Sequence, residues 1–225
     1  MAVLEGGTSA VLAGVGNEAA KALHVTGKPL PVGSGGHYRC STRTRLVNTQ
    51  AANSRLFEIR NPSATLLFVL LKLHIQWFTL ATDAHTATIE DSLDVYKATS
   101  FSVVDPTGSP VTPLTTKART SDPSSVVEVR ANALAGLAAG ITGGTLTLEA
   151  SPYAQLGKAL LAAPVATAVP PPKDELLLIP ELGDAQHPMV FAQNEGLVVA
   201  NRVLLGAAAA SSVYIAAQWA EVSNF

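Results

Sequence analysis

Asp83, His85, Glu90, Asp91 and Asp94 make the densest cluster of ionisable side chains in this 225-residue chain. Carboxylates beside a histidine are what general acid–base catalysis or a metal ion would use. The spacing argues for neither. The histidines (His24, His37, His74, His85 and His187) and the single cysteine, Cys40, never fall into an H-x-x-x-H or C-x-x-C pattern. The plainer reading of the stretch is a loop followed by the solvated face of a strand. That makes Asp83, Glu90, Asp91 and Asp94 a candidate acidic surface for a partner. His187, just before Pro188, reads as a loop residue.

Two glycine-rich stretches invite other chemistry. Gly14-Val15-Gly16-Asn17-Glu18-Ala19 fits the G-x-G-x-x-A pattern of a dinucleotide site, whose glycines let a pyrophosphate approach the backbone. Such a site also needs a ribose-binding carboxylate about 20 residues further on, and no Asp or Glu occurs between Glu18 and Glu58. Val32-Gly33-Ser34-Gly35-Gly36 lacks the G-x-S-x-G order of a nucleophile elbow, because Ser34 directly follows Gly33. No catalytic, cofactor-binding or metal-binding residues are expected, and the chain does not read as an enzyme. A small hydrolase or lectin built on the acidic cluster is the alternative from a different class.

The concentrated basic feature lies in residues 38–47. Strand alternation puts Arg39, Arg43 and Arg45 on one face, with Tyr38, Cys40, Thr42, Thr44 and Leu46 on the other. Nucleic-acid binding would need more positive charge and aromatic side chains interleaved with it. Tyr38, the aromatic nearest in sequence, points away, so direct nucleic-acid binding is not expected. Arg39, Arg43 and Arg45, with Lys21 and Lys28 of the N-terminal segment, are the candidate contacts to a neighbouring subunit or a shell; plain solvation of the arginine face is the other reading.

The elements that must position these residues read as β. The most apolar stretch, TLLFVLLKLHIQWF at 65–78, is interrupted by Lys72, His74 and Gln76, whereas a membrane-spanning helix needs roughly 20 apolar residues. Period two sets Leu67, Val69, Leu71, Leu73, Ile75 and Trp77 on one face and Lys72, His74 and Gln76 on the other. A long strand is expected, apolar on both faces at its start. Further strands are expected at 38–47, 55–60, 86–99, 100–104, 125–130, 145–149 and 211–222, the last with Val213, Ile215, Ala217 and Trp219 on one face. Asn61-Pro62-Ser63 and Asp105-Pro106-Thr107-Gly108 supply turns, and Gln193-Asn194-Glu195-Gly196 between two apolar runs reads as a β-hairpin. Residues 151–163 read as a helix with Ser151 as N-cap, Pro152 at the first position and Pro164 as the stop. Long loops are expected at 131–144 and, from the prolines around Pro170-Pro171-Pro172, at 164–188. The fold class is therefore mainly β, an antiparallel β-sandwich or jelly roll at 37–225. It carries at most one or two short helices and follows an extended arm or irregular lead-in at 1–36.

Charged residues are only 14% and hydrophobic ones 48%, much of this alanine, so the surface is rich in small uncharged side chains, as either large protein contacts or a GC-rich genome would produce. Residues 1–80 carry eight basic side chains against three acidic, and the remainder reverses the balance to a net charge of -2. The two parts can pair within the chain or head to tail between copies. One cysteine excludes an intrachain disulfide, so a covalent staple would have to join two chains. Glu5 and the lack of a basic lead disfavour a secretory signal, and synthesis and folding in a cytoplasm are expected.

GGHYRCSTRTRL from Gly35, AANSRLFEIRNPSAT from Ala51, HPMVFAQNEGLVV from His187 and the terminal QWAEVSNF resemble, in order and spacing, a group of virion structural proteins of tailed bacteriophages and prophages. The resemblance extends over 36–225 and consists of core and turn residues, without a catalytic motif. It implies a protein made in the bacterial host cytoplasm and carried in the virion. The first expectation is a capsid decoration or cement subunit, a homo-oligomer with a trimer favoured, that binds the major capsid protein or other virion proteins. The second is a tail, neck or fibre component that binds host-surface glycan. Neither a membrane partner nor a cofactor is implied. An arm such as 1–36 can order on binding by laying its backbone along another subunit.

Overall fold

The computed structural model describes residues 3–6, 11–14, 36–47, 49–79, 89–102, 109–110, 117–133, 135–142, 144–160, 173–179, 188–205 and 211–223. Among them there is no helix. The strands in chain order are β1 (Val3–Gly6), β2 (Val11–Gly14), β3 (Gly36–Leu46), β4 (Arg55–Arg60), β5 (Leu67–Thr79), β6 (Ile89–Phe101) and β7 (Ser109–Pro110), then β8 (Glu128–Ala131), β9 (Leu146–Leu148), β10 (Ala154–Leu160), β11 (Lys173–Leu178), β12 (Met189–Phe191), β13 (Gly196–Asn201) and β14 (Ser211–Val222). The chain divides into two units, Met1–Val32 and Gly33–Phe225. In the first, β1 and β2 form an antiparallel ladder with Val3 opposite Gly14, where the sequence shows only weak periodicity.

The second unit is a sandwich of two antiparallel sheets. The larger runs β10-β6-β13-β4-β8-β7 with β9 also on β6; the smaller runs β11-β5-β14-β3 with β12 also on β5. Phe57, Ile59, Leu93 and Val95 of the larger sheet share one core with Phe68, Trp77, Ile215 and Trp219 of the smaller. β13 lies between β4 and β6 with all six residues buried, the continuous apolar run that a strand covered on both faces requires. Its Val198 and Ala200 join Ala98 and Phe101 in a second cluster on the far side of the sheet. At one margin Lys158 of β10 ties the two sheets together. Its Nζ lies 2.7 Å from Asp174 Oδ2 of β11 and 5.5 Å from the centroid of the Trp77 ring.

Alternation holds through β3, where Tyr38, Cys40, Thr44 and Leu46 are buried and Arg39, Arg43 and Arg45 exposed, and through Val213, Ile215, Ala217 and Trp219 of β14. Cys40 is enclosed in the core, where burial pushes its thiol up to about 12. It presents no accessible thiolate for a staple between chains.

Several expectations are corrected. In β5 the inward residues are Trp77, Ile75 and Leu73, then Leu70 and Phe68. The register with β14 shifts between Gln218, opposite Lys72, and Trp219, opposite Leu70. This irregularity exchanges the faces, so Leu67 and Val69 do not share the side of Leu73 as strict period two requires. Residues 154–160 are strand, not helix: β10 pairs with β6, with Leu156 and Lys158 buried and Gln155 and Gly157 exposed. A seven-residue strand beside a ready partner outweighs the local capping pattern, because tertiary pairing overrides a weak helix preference. The proline-rich 164–188 contains β11, whose Lys173–Leu178 pairs with the edge of β5. The expected strands at 86–99 and 100–104 are one, β6. Lastly, 192–195 is a turn but not a hairpin. β12 pairs with β5 in the smaller sheet and β13 with β4 and β6 in the larger, so the turn, with Asn194 at φ 62°, carries the chain between layers.

Candidate interaction surface

The outward face of the smaller sheet gathers the basic side chains. Register sets Arg43 beside Tyr214, Tyr214 beside Gln76 and Gln76 beside Glu175, in a row that crosses β3, β14, β5 and β11. A second row is Ser41, Ala216, His74 and Leu177, and a third is Arg39, Gln218 and Lys72. Residues two apart on a strand are roughly 7 Å apart, so Arg39 and Arg45 bracket roughly 20 Å of the edge strand. No ion pair joins Arg39, Arg45 or Lys72 to any described residue.

Arg43 is held in place. Its guanidinium stands 5.8 Å from the Tyr214 ring centroid, and its Nη1 donates to the Tyr214 hydroxyl at 3.4 Å. Phe78 meets the same ring edge-on at 5.3 Å. Glu175 is in contact with His74 Nε2, which occupies the carboxylate at that end of the face. Along the first row the small side chains of Ser41 and Ala216 leave a groove of about 420 Å³ that Arg43, His74, Gln76 and Tyr214 border.

Arg39, Arg43 and Arg45 are thus brought together, as alternation implies. Lys21 and Lys28 lie outside the described residues. Sequence reasoning missed Lys72, Tyr214 and Phe78 as their neighbours. The polar positions of β5 and β14 are visible in the alternation, but the register that sets Tyr214 against Arg43 links residues far apart in sequence.

Asp91 and Asp94 of the acidic cluster are not on an acidic surface. Asp83 and His85 lie outside the described residues, and Glu90 is exposed. Asp91 and Asp94 are 4% and 1% exposed, which replaces the solvated strand face expected for them. Three residues apart on β6, they point to opposite faces. Asp94 accepts hydrogen bonds from Ser92 Oγ at 2.6 Å, Gln155 Nε2 at 3.0 Å and the Tyr96 hydroxyl at 3.1 Å. Asp91 Oδ1 accepts from the backbone N–H of Ser92 at 2.7 Å and of Val203 at 3.0 Å, tying the end of β13 to β6. The two carboxylates therefore brace strands and do not converge on one point, as an acid–base pair would have to. Among the described residues no group of three His, Cys, Asp or Glu side chains is placed to hold a metal ion.

Asp91 Oδ2 is buried without a hydrogen-bond partner, and desolvation by burial, only partly offset by the backbone donors, pushes the carboxyl up to about 6. The folded state then keeps a proton that the unfolded chain releases near pH 4, so this group's contribution to stability falls as pH rises from about 4 to 6 and is level above that. The expected fall is at most about 3 kcal/mol. Asp91→Asn should remove it, so that urea midpoints of wild type and variant converge at low pH relative to their values at pH 7, the variant faring better at pH 7. Parallel pH profiles would refute the assignment.

No protein-family model, no curated protein and no solved structure matches this chain, so the geometry of the sheet face has to carry its own functional reading.

Proposed function

We propose that this protein is a structural subunit of a tailed-bacteriophage virion, a decoration or cement protein held on the assembled shell through the outward face of its smaller sheet. The observation that carries the reading is the set of Arg39, Arg43, Arg45 and Lys72 on one sheet face with, among the described residues, a single carboxylate, Glu175, that His74 already engages. Charges so arranged confer orientation and association rate on contact with an acidic partner. The resemblance of four stretches of the chain to virion proteins points the same way. It brings with it a homotrimer as the expected assembly.

Quantitative mass spectrometry of purified particles tests the reading. A copy number comparable with that of the shell protein supports a decoration role. A small fraction of it moves the protein to the neck, tail or fibres, where a glycan becomes the expected target, and absence from the particles overturns the proposal. Replacing Arg39, Arg43 and Arg45 together by Ser should change stability by no more than about 0.5 kcal/mol per exposed site while it depletes the protein from particles. Undiminished incorporation of the folded triple variant would remove this face from the contact.

A further inference from the structure

We infer that the groove across the smaller sheet receives an acidic peptide segment, with a carboxylate side chain seated in the groove against Arg43 and others meeting Arg39 and Lys72 in the row beyond it. The inference deepens the docking role given to this face and rests on it.

The groove follows from register. Two rows of long side chains, Arg43-Tyr214-Gln76 and Arg39-Gln218-Lys72, stand four residues apart along the strands, roughly 13 Å. The row between them begins with Ser41 and Ala216, which are too short to fill the space. An extended segment laid across the strands would meet Arg43 at the groove, a floor without bulk, and Arg39 and Lys72 in the row beyond. Its far end is marked by His74 and Glu175, whose contact closes the row on the β11 side.

Charge complementarity selects an anionic occupant, and the aromatic geometry selects among anions. A single-stranded nucleic acid would need free ring faces on which bases stack. Here the Tyr214 ring carries the Arg43 guanidinium at 5.8 Å and packs at 76° to Phe78, so the Tyr214 ring is engaged by both neighbours. The same contact holds the guanidinium over the ring with donors left over. Nη1 alone reaches the Tyr214 hydroxyl, and the planar fork of an arginine suits bidentate binding of a carboxylate.

The test uses the full chain and fluorescence anisotropy at low ionic strength, with a labelled oligoglutamate, a Gly-Ser peptide of equal length and an oligothymidylate of equal charge. Oligoglutamate should bind, weaken with added salt as exposed charge pairs do, and exceed both controls. Arg43→Gln should lower its affinity at least tenfold. Ala216→Trp should do the same with every charge retained, because the indole fills the groove; Ser41→Tyr repeats this test from the edge strand should the first variant fold poorly. Oligothymidylate bound as tightly would make the face a nucleic-acid surface and overturn the inference. Unchanged oligoglutamate affinity in the folded groove-filling variants would overturn it too, since attraction would then be diffuse. A particle-bound protein that ignores oligoglutamate would sink this inference alone, whereas groove-dependent binding by a protein missing from particles would sink the virion reading alone.

Discussion

Glu221→Ala is expected to destabilise the fold by about 2 to 4 kcal/mol, because hydrogen bonds to a charged group are lost and a buried donor left without its acceptor costs about 1 to 3 kcal/mol. Glu221 is 2% exposed and sits near the end of β14 with its carboxylate turned toward the irregular segment that precedes β8. The Ser125 hydroxyl donates to Oε1. The Val126 N–H lies 3.2 Å from both oxygens, the Val127 N–H 3.5 Å from Oε1 and the Trp219 Nε1–H 3.3 Å from it. One carboxylate thus satisfies donors that strand pairing does not reach, and its removal leaves the buried Trp219 Nε1–H without that acceptor, at about 1 to 3 kcal/mol, and releases the half-exposed segment at Ser125 and Val126. Tyr38 reinforces the same corner. Its hydroxyl donates to the Pro123 carbonyl at 2.9 Å, and burial, then the charges of Glu221 and Asp122, push it up to about 12, so it remains a donor. Glu221→Gln keeps one acceptor and should lose less than half as much. The check is urea unfolding at pH 7; a loss within about 0.5 kcal/mol for Glu221→Ala would mean that segment 123–127 is held by other contacts.

Trp219→Ala is the second large effect, about 3 to 5 kcal/mol for truncation of a fully buried ring. The indole lies 5.9 Å from the Tyr38 ring and 6.0 Å, edge-on, from Phe68, which stacks in turn on Phe191 at 4.9 Å. It therefore joins β3, β5 and β12 at the point where the β5–β14 register shifts. Strands cannot slide there to close a cavity without breaking their ladders, so little relaxation is expected. Trp219→Phe should cost less, and with Glu221→Ala it should be non-additive, because the two side chains share the 3.3 Å hydrogen bond. Additive losses in that double-mutant cycle would show the bond to be of little weight, and a change within error for Trp219→Ala would refute the packing role.

The strand content and the facing of β3 and β14 were legible because a half-buried strand writes its burial into alternate residues. The same rule failed in β5, where a register irregularity shifts the parity and alternate residues no longer mark one face. At 151–163 it was a capping pattern that misled: Ser151 and Pro152 mimic a helix start, and the β6 partner that makes 154–160 a strand is about 60 residues away. The turn at 192–195 was legible from its residues. Whether its flanks pair with each other or enter opposite layers was not, since both outcomes need the same local chain reversal.

For the candidate surface the division is similar. Composition and alternation by themselves determined a mainly β chain whose Arg39, Arg43 and Arg45 share an exposed face. Only the tertiary structure decided that Tyr214, Gln76 and Lys72 stand beside them, that Ser41 and Ala216 open a groove next to Arg43, and that Asp91 and Asp94 are buried supports on opposite sides of one strand. The physical reason is that side-chain direction along a strand is a local property of the backbone, whereas neighbours across strands depend on register. Register is set by the packing of the whole core, which no short stretch of sequence contains.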